Sequence, residues 1–188
     1  MLNVKQILLL VVAFAFVAID AAFSQSNTKI DSLTAVLNKY PKEDTVKARL
    51  LIELSRASVK IKIKEGMAYS EQALTILENF NAPELKADAL YTKARHLEAM
   101  GRNKEALDVI LTTVDVYKSL QRAKKMIEVY NLLGLIYGNL LEAENQRNYY
   151  DRALNLSEQI KDITNKIIAL NGLGNAYSDL GDRKKAIN

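Results

Sequence analysis

Residues 170–188 read LNGLGNAYSDLGDRKKAIN. Leu170, Leu173 and Tyr177 fall at i, i+3 and i+7, so three large apolar side chains share one face of a helix. Gly174, beside the central leucine, lets a second helix approach closely. Gly181 stands where the first helix should end, because glycine takes the left-handed conformation that closes a helix without steric cost. The same pattern recurs forty positions earlier at Tyr130, Leu133, Gly134 and Tyr137, and again at Leu90, Lys93, Ala94 and Leu97. Two further registers share the period: Ala73, Thr113 and Ala153, and Ala106, Gln146 and Ala186. An earlier degenerate copy around Leu51, Leu54 and Ser55 fits after a one-residue shift.

One helix–turn–helix unit cannot hide its own apolar face. Stacking the next unit against it does, and the product is a solenoid. The expected fold is all-α, a right-handed superhelical solenoid of antiparallel helix pairs. Residues 25–44 hold a leading helix near Lys29–Tyr40, closed by Pro41. Repeat one, degenerate, covers 45–86, repeat two 87–126, repeat three 127–166, and a truncated repeat four 167–188. The pairs are expected at about Thr45–Phe80, Glu84–Leu120 and Ala123–Ile160, with a last first helix at about Asp162–Leu180. The chain is read as a fragment or truncated product, since it ends inside a repeat and leaves Leu170, Leu173 and Tyr177 without the helix that covers them in a complete unit.

Ahead of the repeats, Lys5 precedes an unbroken apolar run from Ile7 to Ile19, stopped by Asp20. A bilayer span needs roughly 20 such residues, so the run reads as a secretory signal over 1–24. Ala22-Phe23-Ser24 offers a cleavage site with Gln25 as the first mature residue. The rival readings are an uncleaved anchor and a buried core helix. The expected location is periplasmic or extracellular.

Composition narrows the chemistry. The chain of 188 residues has no cysteine, which excludes disulfides, thiol nucleophiles and Cys-ligated metals, and a single histidine, His96, which leaves no pair for a zinc site. A net charge of +4 is too weak to imply nucleic acid. Only 2 Pro and 7 Gly disfavour a barrel or sandwich, which need frequent turn signals. Gly172-Leu173-Gly174-Asn175-Ala176-Tyr177 begins like a dinucleotide loop but has Tyr in the sixth place and no strand before it, so it reads as repeat helix. Asn155-Leu156-Ser157 is a formal glycosylation sequon, but mid-helix. Glu142 and Glu144 point apart on a helix and form no acid/base pair. Lys47, Arg49, Arg56, Lys60, Lys62 and Lys64 interleave with Glu43, Asp44, Glu53 and Glu65, the composition of a solvated helix face; a site for an acidic ligand is the lesser reading and nucleic acid the remote one. No enzyme, cofactor or metal is expected.

The segment 170–188 resembles the tetratricopeptide repeat: a large apolar residue, Leu-Gly, Tyr, Gly-Asp, then a small Ala, here Leu170, Leu173-Gly174, Tyr177, Gly181-Asp182 and Ala186. The preceding copy matches at Tyr130, Leu133-Gly134, Tyr137, Tyr150 and Ala153, and departs at Leu141, where Gly is usual, and at Gln146, where a small residue is usual. The copy near Ala87 keeps Leu90, Ala94, Gly101 and Ala106 but has Lys93 in place of Leu. In the first copy Ser58 replaces the Tyr and Gly66 the Ala. The usual repeat is shorter, about 34 residues, and the longer period here resembles the exported sensory regions of bacterial sensor kinases and regulators.

The resemblance implies a concave groove formed by the first helices, holding an extended peptide or a partner helix. Its positions carry over to Arg49 and Arg56; Asp88, Tyr91, Arg95 and Glu98; Glu128, Asn131 and Asn139; and Asn171, Asn175, Ser178 and Asp179. Asparagine amides both donate and accept, so they can pair with a ligand's backbone without reading its sequence. The expected function is a non-catalytic, exported scaffold for protein or peptide binding, the sensory or docking part of a longer signalling protein. The alternative is an assembly protein that self-associates through its open C-terminal repeat. No nucleic-acid partner is expected, and a membrane only if the signal is uncleaved or the chain continues.

Overall fold

The computed structural model describes residues 27–182, and the signal over 1–24 and the start of the fourth repeat's second helix lie outside them. Residues 27–38 are helical (α1) and form a unit separate from the repeats. The repeat unit contains α2 (Thr45–Ser58), α3 (Ile63–Leu77), α4 (Pro83–Ala99), α5 (Asn103–Ser119), α6 (Ala123–Asn139), α7 (Ala143–Gln159) and α8 (Ile163–Asp179). The expected pairs are all present. The second helices begin at Ile63, Asn103 and Ala143, a constant forty positions apart. The repeat edges drawn at 87, 127 and 167 fall inside α4, α6 and α8, each four residues past the helix start.

Each helix of the repeat unit packs on its neighbour in sequence, and the first helices α2, α4, α6 and α8 also touch in succession. They therefore form one continuous wall, with α3, α5 and α7 behind it. The core runs between the layers: Leu97, Ile110, Tyr117, Leu133 and Ile136 are fully or nearly fully buried.

The turns explain the strict period. Residues 101, 121, 141, 161 and 181 all have positive φ, at a regular spacing of twenty. At the first, the Arg102 N–H donates to the Leu97 carbonyl (2.9 Å) and the Gly101 N–H to the Glu98 carbonyl (2.8 Å). This paired closure satisfies the last carbonyls of the helix. The same two bonds recur at 121/122, 141/142, 161/162 and 181/182. Glycine fills the site at 101 and 181, as expected. Leu141 holds φ +62° in its place, with its side chain 92% exposed.

Close helix approach is also residue-specific. The Tyr150 ring of α7 is sandwiched between Gly134 of α6 and Gly172 of α8. A Cβ at Gly134 would stand 2.8 Å from the ring, and one at Gly172 would fall inside its van der Waals envelope. Gln146 occupies a position that is small elsewhere because Gly138 makes room: a Cβ there would lie 2.6 Å from its amide nitrogen. Gly66 does the same for His96, where a Cβ would sit 2.7 Å from Nε2 and 2.8 Å from the Ser58 Cβ. Lys93, in place of the usual leucine, is half-buried and pairs with Glu71 of α3 at 3.1 Å.

Contrary to expectation, Leu173 is not left open. It is 6% exposed, because it reaches back to Tyr150 and Ala153 of the preceding pair. Tyr177 is half-buried, and Leu170 is the member of the three that stays exposed, at 46%.

Candidate functional site

The wall of first helices carries two adjoining cavities. The larger, about 440 Å³, is lined by Arg56 of α2, Tyr91 and Arg95 of α4, Glu128, Asn131, Leu132 and Leu135 of α6, Tyr150 of α7, and Asn165 and Ile168 of α8. The second, about 320 Å³, is lined by Leu135, Gly138, Asn139, Gln146, Tyr150, Asn175, Ser178 and Asp179. Leu135 and Tyr150 belong to both, so the cavities make one groove. Helical spacing places these residues there: Glu128, Asn131, Leu132, Leu135 and Asn139 recur at i, i+3, i+4, i+7 and i+11 along α6.

Nine of the thirteen expected groove positions line it: Arg56, Tyr91, Arg95, Glu128 and Asn131 in the larger cavity, and Asn139, Asn175, Ser178 and Asp179 in the smaller. Arg49, Asp88, Glu98 and Asn171 line neither cavity. Arg49 and Asn171 are exposed. Asp88 is engaged in the framework: one carboxylate oxygen accepts from the Tyr117 hydroxyl at 2.7 Å and pairs with Lys125 at 2.7 Å, with the Arg56 head 4.0 Å away. That joins α4 to α5 and α6 and pushes the Tyr117 hydroxyl pKa strongly upward, by burial first and then by the adjacent carboxylate. Glu98 accepts from the Asn139 amide at 3.0 Å, and the same nitrogen reaches Asn103 at 3.2 Å.

The asparagines differ in what they offer. Asn131 is 8% exposed and donates to the Asn165 side chain at 3.3 Å, while its carbonyl oxygen has no partner among the described residues. Arg56 Nε is likewise buried and unpartnered. In the second cavity Gln146, 6% exposed, leaves its amide oxygen unpaired. A buried polar atom without a partner costs about 1–3 kcal/mol, so these atoms make the groove favour a ligand that supplies hydrogen bonds. Burial pushes the Tyr91 and Tyr150 hydroxyls up to about 12, so both stay neutral.

Asn165, Leu132, Leu135, Ile168, Gln146 and Tyr150 were not among the sequence expectations. Apolar groove residues look like core in a sequence, yet Leu135 is 41% and Ile168 46% exposed. The α6 helical spacing from Asn131 could have found Leu135.

His96 lies outside the groove. It is fully buried, with Nε2 3.0 Å from the Ser55 carbonyl and 3.0 Å from its hydroxyl. A carbonyl only accepts, so the ring proton sits on Nε2. Burial lowers its pKa, partly opposed by the Ser55 bond. Asn155 of the sequon is exposed on α7, while Ser157 is buried and bonded to the Leu154 carbonyl. In the basic cluster, Arg49, Lys60, Lys62 and Lys64 are exposed and Lys47 pairs with Glu43. Among the described residues there is no cluster able to hold a metal, and no helix is long and apolar enough to cross a membrane.

The tetratricopeptide repeat family model matches residues 127–160, which span most of α6 and α7. Tetratricopeptide repeat protein 29 of Trypanosoma brucei brucei is 27% identical over 143 residues, covering 74% of this chain and 29% of that protein. A Rap protein, solved in complex with Competence and Sporulation Factor, superposes with a TM-score of 0.77 at 20% identity over 88% of this chain and 48% of the other. The nearly identical TPR-like repeats of a Podosopora anserina kinesin light chain give 0.69 at 16% identity, over 88% and 84% of the two chains. The chain thus spans under a third of the curated relative and about half of the Rap protein. The two structures share its fold, and the matched repeat and the relative agree with them in kind. Residues 127–160 thus match the tetratricopeptide repeat, within a chain whose fold is that of TPR-like helical solenoids.

Proposed function

We propose that the protein is a non-catalytic scaffold that binds a polypeptide segment in the groove of its first helices, and that it works outside the cytoplasm as the docking or sensory part of a longer signalling protein. One observation carries the binding reading: a buried acceptor, Asn131 Oδ1, and a buried donor, Arg56 Nε, stand unpaired in one groove. A peptide backbone carries both complements. The Rap protein, which shares this fold, was solved in complex with Competence and Sporulation Factor, which supports a partner-binding role for the scaffold. The scaffold reading is further supported by the burial of His96, the one imidazole in the sequence, outside the groove. Export rests on the apolar run ahead of Asp20, and N-terminal sequencing of secreted material tests it: cleavage before Gln25 is expected, and Met1 on a cytoplasmic product refutes it.

The test of binding is selection from a phage-displayed random peptide library on the full chain. Selected peptides should be lost by Leu135→Asp, which places a charge in the groove, and retained by Leu111→Asp, equally exposed on α5. Equal retention by both variants refutes groove binding.

A second reading has its own observation. Ile163, Ile167 and Leu170 are 72%, 53% and 46% exposed on one face of α8, while Ile127, forty positions before Ile167, is fully buried. Such a stripe suits assembly with another copy. Sedimentation of Ile167→Lys against the parent tests it, with a monomeric parent as the refuting result.

A further inference from the structure

The groove has a charge polarity that specifies its ligand, on the reading that it binds a polypeptide segment. At one end stand the guanidinium groups of Arg56 and Arg95. Arg95 pairs with no carboxylate among the described residues. Glu128 shares that end, and Asp88 beside Arg56 is paired with Lys125, so three positive charges against two negative ones leave the end net positive. The middle is apolar: Leu132, Leu135 and Ile168, the last two with over 40% of their surface exposed. The far end holds Asp179 with Asn139, Asn175 and Ser178, and the unpaired oxygen of Gln146, a side chain more than nine-tenths buried. These groups accept hydrogen bonds, and among the described residues Asp179 is the only formal charge lining that cavity.

Length follows from α6, which contributes from Glu128 to Asn139. Eleven helical steps at about 1.5 Å span ~16 Å, the reach of about five extended residues at ~3.3 Å each.

We infer that the groove takes an extended segment of about five residues with an acidic side chain at the Arg56–Arg95 end, an aliphatic one in the middle and a basic one at the Asp179 end. The acid meets the unpaired guanidinium of Arg95, where a charge-assisted bond is strongest. The aliphatic side chain covers Leu135 and Ile168. The segment's amides meet Asn131 Oδ1 and Arg56 Nε, which are blind to sequence, so the side-chain order supplies the selectivity.

The test uses the full chain on an array of end-blocked pentapeptides, X-Gly-X-Gly-X, with Glu, Lys or Ser at each terminal position and Leu or Ser in the centre. Peptides with Glu and Lys at opposite ends and Leu between should be retained, and replacement of any one by Ser should weaken binding about tenfold. Arg95→Glu should reverse the choice at one end, preferring Lys-Gly-Leu-Gly-Lys by about tenfold over the parent pattern. Far-ultraviolet circular dichroism checks that the variant remains folded, and Arg95→Gln, which should lose the preference without reversing it, serves if it does not. Retention regardless of the terminal residues, or an unchanged preference in Arg95→Glu, overturns the polarity and leaves groove binding standing. Retention of no pentapeptide overturns this inference, and the random library selection then decides groove binding by itself.

Discussion

The sandwich of Tyr150 between two glycines makes a sharp energetic prediction. At Gly172 an added Cβ would overlap Cζ and both Cε atoms of the ring, and at Gly134 it would stand 2.8 to 2.9 Å from Cγ, Cδ2 and Cε2. The ring cannot retreat from one without pressing on the other. Overpacking of this kind costs ~1–3 kcal/mol, and the rigid sandwich puts Gly172→Ala at the upper end. Alanine also gains ~1 kcal/mol over glycine in a helix interior, so the net expectation is ~2 kcal/mol of destabilisation. Tyr150→Leu removes the outer ring atoms that Gly172 faces while keeping a Cγ and its branches near Gly134. In that background Gly172→Ala should become stabilising by ~1 kcal/mol, a coupling of ~3 kcal/mol, while Gly134→Ala should be only partly rescued. Urea titrations of the four proteins of each cycle, followed by circular dichroism, measure this. Equal effects of Gly172→Ala in both backgrounds would refute the close approach and the register that produces it.

Three further outcomes are expected. Leu141→Gly relieves a left-handed backbone and removes an almost fully exposed apolar side chain. It should stabilise by ~0.5–1 kcal/mol after the entropy cost of glycine, raising the thermal midpoint by about 1–4 °C, and an unchanged or lower midpoint in a thermal scan contradicts it. His96 has a folded-state pKa below its ordinary value, so the unfolded chain takes up its proton first as pH falls. Its contribution is therefore fully present above about pH 6.5 and is lost below it, at up to ~1.4 kcal/mol per pH unit, until the folded pKa is passed. Urea midpoints should decline more steeply in the parent than in His96→Gln as the pH is lowered from about 7.5 to about 5.5, and parallel curves remove the assignment. Asp88→Ala strands the buried Tyr117 hydroxyl and should cost ~2–3 kcal/mol, whereas Tyr117→Phe leaves Asp88 its Lys125 partner and should cost less; the reverse order in denaturant titration refutes the network.

The repeat was legible because its determinants are local and recur. Leu173, Tyr177 and Gly181 announce a helix face and a stop by themselves, and an echo forty positions away turns that into an architecture. The groove was legible in outline, since polar residues at helical spacing on first helices can be placed from register alone. Three parts were not. Leu135 and Ile168 look like core residues, and only the packing shows which apolar positions the next repeat leaves uncovered. Asp88 and Asn131 look like surface polar groups, but long-range partners, Tyr117 and Asn165, engage them. Gln146 at a position that is small elsewhere and Gly138 eight residues before it are one feature: each looks anomalous alone, and their contact depends on the angle between α6 and α7.

The glycine–tyrosine seam bears on how a self-similar chain finds its own order. From α4 onward, helices of one length, joined by turns of one geometry, could in principle dock out of turn, one pair taking the place of its neighbour a full period away. Tyr150 corresponds by period to Ile110, and its two glycines to Ala94 and Leu132. Moved one unit toward the N-terminus, the ring would meet a methyl and an isobutyl group where it now meets bare backbone. Moved the other way, Ile110 would leave a void between Gly134 and Gly172. The seam acts as an address that distinguishes the third pair from its look-alikes, so misordered docking during folding is rejected at α7.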